Sequence, residues 1–144
     1  MAAARSAQAT WTGDLKSGSG EIREVPSGAF GPLQVSWAAR TEEPGGKTSP
    51  EELIAAAHAS CFAMQLSSLL AKAGSPPEEL NTSATVTFVP GTGITKSALT
   101  VVGKVPGIDE AAFKAVADEA KGTCPVSNAL KNNVELMLDA RLQS

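Results

Sequence analysis

From Leu53 to Ala71 the chain runs nineteen residues without an Asp, Glu, Lys or Arg, and Ala, Leu, Ser, Met and Phe, all compatible with helix, fill most of it. Its start carries helix signals: Ser49 suits the N-cap, Pro50 the first turn, and Glu52 completes a capping box, while Glu51 puts negative charge at the positive end of the dipole. Lys72, Gly74, Pro76 and Pro77 supply the stop. The stretch Thr48 to Gly74 therefore predicts one helix of about 24 residues, roughly 36 Å long. A helix with no polar stripe must be covered on nearly every side, yet a chain of 144 residues folds into a globule about as wide as this helix is long. The expectation is that two copies pair, with their long helices inside a shared core.

Such a run also approaches membrane-spanning length. Its content argues otherwise, since His58, Ser60, Gln65, Ser67 and Ser68 lie inside it, Ala outweighs Leu and Ile, and a capping box opens it. The first ten residues, MAAARSAQAT, lack the apolar region of a secretory signal. A cytoplasmic, reducing location is expected, in which two cysteines serve as reactive or buried thiols rather than as a permanent staple. A net charge of −3 without basic clusters gives no reason to invoke nucleic acid or an anionic membrane surface.

Before the helix the chain reads as three strands: Gln8 to Leu15, Glu21 to Val25, and Leu33 to Ala39, the last alternating Val35, Trp37 and Ala39 against Gln34, Ser36 and Ala38, with Arg40 at its end. Thr41 to Lys47 is a polar loop. After Pro77 the period returns to two, giving a hairpin of strands around Ser83 to Phe88 and Ile94 to Val105 joined at Pro90 to Gly93. Asp109 caps a second helix with Phe113, Val116, Ala117 and Ala120 on its apolar face, a short helix follows Cys124 and Pro125 through Leu130, and a last strand runs from Val134 to Leu142. The order βββαββααβ describes a single α+β domain over residues 1–144, with the long helix buried against an antiparallel sheet.

His58 is the only histidine, and the plain reading is a hydrogen-bonded core residue, although it shares a helix face with Cys61 three positions on. His58, Cys61 and Cys124 offer at most three metal ligands in no recognised spacing, so no metal is expected. The residues themselves leave Cys61 open between an inert buried thiol and a reactive one. Apolar surroundings raise a thiol's pKa, and lowering it by two units takes about 2.7 kcal/mol, within the reach of one cation at about 4 Å. Cys124, in Gly-Thr-Cys-Pro, falls at the N-cap of the short helix, where amide N–H groups favour a thiolate. Sequence chemistry does not decide which of the two sulfurs acts first.

The runs TSPEELIAAAHASCFAM at Thr48 to Met64, CPVS at Cys124 to Ser127, WTGD at Trp11 to Asp14 and VPGID at Val105 to Asp109 resemble the OsmC/Ohr family of thiol peroxidases, in its osmotically inducible OsmC branch, over nearly the whole chain. The resemblance implies an OsmC-like fold in an entwined homodimer with two equivalent sites. It also implies reduction of organic hydroperoxides, and more weakly hydrogen peroxide, with Cys61 as peroxidatic thiol and Cys124 as resolving thiol. Glu51 matches the family's glutamate, and Arg40 the arginine position of the OsmC branch. No cofactor is implied; an external dithiol or a lipoylated protein would reopen the disulfide. Two other readings stay open: a stress-induced redox-sensitive binding or structural dimer without turnover, and a thiol-disulfide oxidoreductase acting on proteins. Glu51 and Cys61 are ten residues apart, about 15 Å along one helix. If both serve one site, they come from different chains, with Glu51 orienting Arg40 opposite the partner's Cys61. Ile54, Phe62 and Met64 are candidates to shape a pocket for the peroxide's alkyl group, or simply core.

Overall fold

The structure, a computed structural model, describes residues 2–143. Two compact units divide between Pro50 and Glu51. In the first, β1 (Ala9–Thr12), β2 (Ser19–Ile22) and β3 (Leu33–Val35) form an antiparallel sheet in chain order, with Ala9 opposite Ile22 and Gly20 opposite Val35. The third strand is shorter than its alternating pattern suggests. The Ser36 hydroxyl accepts the Ala39 N–H at 3.1 Å, an N-cap that turns the next residues into α1 (Trp37–Thr41). Arg40 thus stands in the last turn of a short helix and not at the end of a strand.

The long helix α2 (Pro50–Lys72) begins at the proline that suits a first turn and ends before Gly74, whose φ of +90° reverses the chain. After it come β4 (Glu79–Val89), β5 (Gly93–Lys104), α3 (Glu110–Thr123), α4 (Pro125–Leu130) and β6 (Glu135–Leu142). The Asp109 carboxylate caps α3 by accepting the Ala112 N–H at 2.8 Å. β4 and β5 pair as the expected hairpin. β6 lies on the other edge of β5 and runs parallel to it, with Leu99 opposite Leu138, so this sheet is mixed rather than wholly antiparallel. Parallel neighbours need a crossover, and α3 with α4 supplies it.

One face of the sheet holds the core. Phe62, Leu66 and Leu70 of α2 meet Leu99 and Val101 of β5, Phe113, Ala117 and Ala120 of α3, Cys124, and Ala140 of β6. Burying each large apolar side chain contributes about 1.5–3 kcal/mol before conformational entropy is counted. α3 approaches the sheet closely because Gly103 has no side chain: a Cβ there would lie 2.5 Å from the Phe113 ring. On α2 the residues His58, Phe62, Leu66 and Leu70 make a buried stripe at a spacing of four, and Met64 on the far side is 74% exposed. By length and composition α2 would also pass as a membrane span, but its buried stripe is that of a helix packed on one side.

Candidate active site

Cys61 precedes Phe62 and so sits at the edge of the buried stripe, partly exposed, while Cys124 is fully closed to solvent. Cys124 is the joint between two helices. Its N–H closes α3 onto the Ala120 carbonyl at 2.9 Å, and its carbonyl accepts the Asn128 N–H at 3.0 Å in α4. Its own backbone is extended (φ −60°, ψ 128°), which Pro125 at the first position of α4 requires of the residue before it.

The crossover brings these distant cysteines together: Cys61 packs against the core cluster that contains Cys124, close enough for the Cys124 side chain and the Val126 backbone N–H to act on its sulfur. Both are free thiols. Burial pushes the Cys61 thiol above its ordinary pKa, and the contact with Cys124 adds to this by holding the Cys61 proton and by placing a second developing negative charge nearby. The Val126 N–H acts in the opposite sense, favouring the thiolate. Within one chain the balance leaves Cys61 protonated more readily than a free cysteine, as the sequence expectation of an apolar setting anticipates.

Two polar bridges flank the sulfurs. His58 is fully buried, its Nδ1 2.6 Å from the Ser97 hydroxyl on β5 and its Nε2 2.8 Å from the Ser127 hydroxyl on α4. The histidine is the hydrogen-bonded core residue its apolar run suggests, and burial holds its pKa below the ordinary value. One turn beyond Cys61, the Gln65 side-chain amide donates to the Thr123 hydroxyl at 2.9 Å. Nothing in the spacing of Gln65, Ser97 or Thr123 points to these partners, although Thr123 and Ser127 fall inside the Gly-Thr-Cys-Pro and CPVS segments noted in the sequence.

Glu51 lies in the first turn of α2 and is buried. The unbroken helix keeps it about 15 Å along the axis from Cys61. Arg40, in the first unit, lines an open pocket of about 230 Å³ with Trp11, Leu15, Val35, Ser36, Trp37 and Pro50. Of the apolar residues considered for an alkyl pocket, Phe62 belongs wholly to the core. Among the described residues no cluster of three or more His, Cys, Asp or Glu is placed to hold a metal ion.

The family model for OsmC-like protein matches residues 43–139, a span that includes Glu51 and both cysteines. The chain belongs to the OsmC-like family. Among its relatives, the peroxiredoxin OsmC of Escherichia coli (strain K12) is 43% identical over 140 residues, 95% of each chain. The organic hydroperoxide resistance protein of Xanthomonas axonopodis pv. citri (strain 306) is 34% identical over 97 residues, 65% of this chain and 67% of that one. The OsmC-like fold is the same as in a crystal structure of an OsmC-like protein from Mycoplasma pneumoniae, with a TM-score of 0.74 at 14% identity and all of both chains covered.

Proposed function

We propose that this protein is a cysteine-based peroxidase that reduces organic hydroperoxides, and more weakly hydrogen peroxide. Relatives named peroxiredoxin OsmC and organic hydroperoxide resistance protein support the reaction class. The observation that carries the assignment to residues is the pair of free thiols packed together, one partly exposed and one buried.

That asymmetry favours an order the sequence chemistry leaves open. Cys61, the accessible sulfur, attacks the distal oxygen of ROOH as a thiolate; the O–O bond breaks, the alcohol leaves with a proton, and Cys61 becomes a sulfenic acid. The Cys124 thiol then gives up its proton and its sulfur displaces the hydroxyl of that sulfenic acid, which takes the proton and leaves as water as the disulfide forms. An external dithiol, free or carried on a lipoylated protein, reopens the disulfide by exchange. No cofactor takes part.

Because burial raises the Cys61 pKa, turnover near neutral pH calls for a cation beside it. In our reading that cation is Arg40 of a second copy, oriented by Glu51, in a homodimer whose long helices pack along the exposed side of α2. The largely apolar lining of the Arg40 pocket suits an alkyl chain. A cytoplasmic location, where dithiols are available, fits this chemistry.

Stopped-flow consumption of cumene hydroperoxide with a dithiol present tests the proposal. Rapid turnover abolished in Cys61→Ser supports it, and equal rates in the two proteins reject it. Mass spectrometry after one equivalent of peroxide should find Cys61 joined to Cys124 in the unaltered protein and an over-oxidised Cys61 in Cys124→Ser.

A further inference from the structure

We propose that two side-chain bridges on either side of the sulfurs, His58 to Ser127 and Gln65 to Thr123, form a clamp that holds Cys124 in register with Cys61 and so decides how the oxidised Cys61 is disposed of. The inference deepens the peroxidase reading and rests on it for the fate of the sulfenic acid. The register itself does not depend on that reading.

The geometry is a matched pair of ladders. On α2, His58 stands three residues before Cys61 and Gln65 four after, so all three share a face. On the facing segment the order is reversed: Ser127, bonded to His58, stands three residues after Cys124, and Thr123, bonded to Gln65, stands one before it. Cys124 is therefore tied to α2 on both sides of its contact with Cys61.

The inner tie is buried and anchored twice, and the outer one lies at the surface. The other nitrogen of His58 is held by Ser97 on β5, which fixes α4 relative to the sheet. The neutral imidazole donates through one nitrogen and accepts through the other, so each serine hydroxyl finds a complementary partner in either tautomer. The Thr123 hydroxyl donates to the Glu119 carbonyl at 2.8 Å, which leaves its lone pairs turned to the Gln65 amide.

Two reactions compete for a Cys61 sulfenic acid. Condensation with Cys124 gives the disulfide and water, and its rate follows the fraction of time the Cys124 sulfur spends in contact. Reaction with a second hydroperoxide gives the sulfinic acid and an alcohol, and its rate follows peroxide concentration. A clamp that keeps the sulfurs in contact favours the first.

The test uses Gln65→Leu/Ser127→Ala, with Ser127→Thr as the variant that retains the hydroxyl. Equilibration in dithiothreitol buffers, with no peroxide present, should show the intramolecular disulfide about tenfold less favoured in the double variant, the ratio expected for two lost neutral hydrogen bonds, and restored toward the original value in Ser127→Thr. In a cumene hydroperoxide titration read by intact mass, the double variant should reach half sulfinic acid at a peroxide concentration several-fold lower. Should it fail to fold, Gln65→Leu, altered only at the outer bridge, is expected to shift both readouts in the same direction by a smaller factor. Unchanged disulfide equilibrium and unchanged sulfinic yield in a folded variant overturn the clamp. A shifted dithiothreitol equilibrium in chains that peroxide does not oxidise keeps the clamp and removes the peroxidase reading instead.

Discussion

His58 Nε2 lies 2.8 Å from Ser127 Oγ, and both residues are sealed from solvent. A neutral imidazole suits this position, because an ionised one would carry a charge in the core with only hydroxyls to receive it.

The pH dependence of stability follows from that burial. The folded chain holds His58 below its ordinary value of 6.5, so at mildly acidic pH the unfolded chain binds a proton that the folded chain refuses. Stability is complete above the unfolded pKa and falls as pH drops through it toward the folded value, with a slope of up to about 1.4 kcal/mol per pH unit. Urea melts at pH 7.5 and pH 5.5 should show this loss, and His58→Gln should be flatter across the same interval. The variant should also be less stable at pH 7.5 by about 1–3 kcal/mol, since it strands a serine hydroxyl.

Gly103→Ala should destabilise the protein by about 1–3 kcal/mol in urea melts, because the new methyl would lie 2.5 Å from the Phe113 ring. Combined with Phe113→Leu, the two losses should sum to less than their separate values. Full additivity would mean that α3 does not rest on this glycine.

The role proposed for Arg40 predicts a change in thiol acidity. The pH profile of Cys61 alkylation by iodoacetamide, measured in Cys124→Ser, should move upward by about one unit or more in Arg40→Met. An unmoved profile would remove Arg40 from the site.

Subunit mixing tests the two-chain site. Glu51→Ala and Cys61→Ser homodimers should both be impaired, and the mixed dimer should recover one working site, in which an intact Cys61 faces the partner copy's intact Glu51. No recovery in purified mixed dimers would place both residues in one chain.

Much of this architecture is written locally. The proline that opens α2, the glycine after it, and the Asp109 cap act on their immediate neighbours and mark their elements to within a residue or two. The alternation of Val35, Trp37 and Ala39 fits a strand as well as it fits one helical turn; the Ser36 cap decides between them, and serine caps are ambiguous in sequence. The parallel pairing of β6 with β5 and the Gln65–Thr123 bridge join residues far apart in the chain, and no periodicity encodes them. The cysteine pair was visible as two motifs; which sulfur meets solvent depends on the packing of α3 and α4.

Cys124, pinned by its own N–H and carbonyl at the seam of two helices, turns no surface outward. Once an S–S bond joins it to Cys61, an incoming dithiol can approach from one direction only, at the Cys61 sulfur, and Cys124 must depart as the leaving thiolate. The mixed disulfide formed during recycling would then always be borne on the long helix, and a trapped complex with any reductant should map to that sulfur alone.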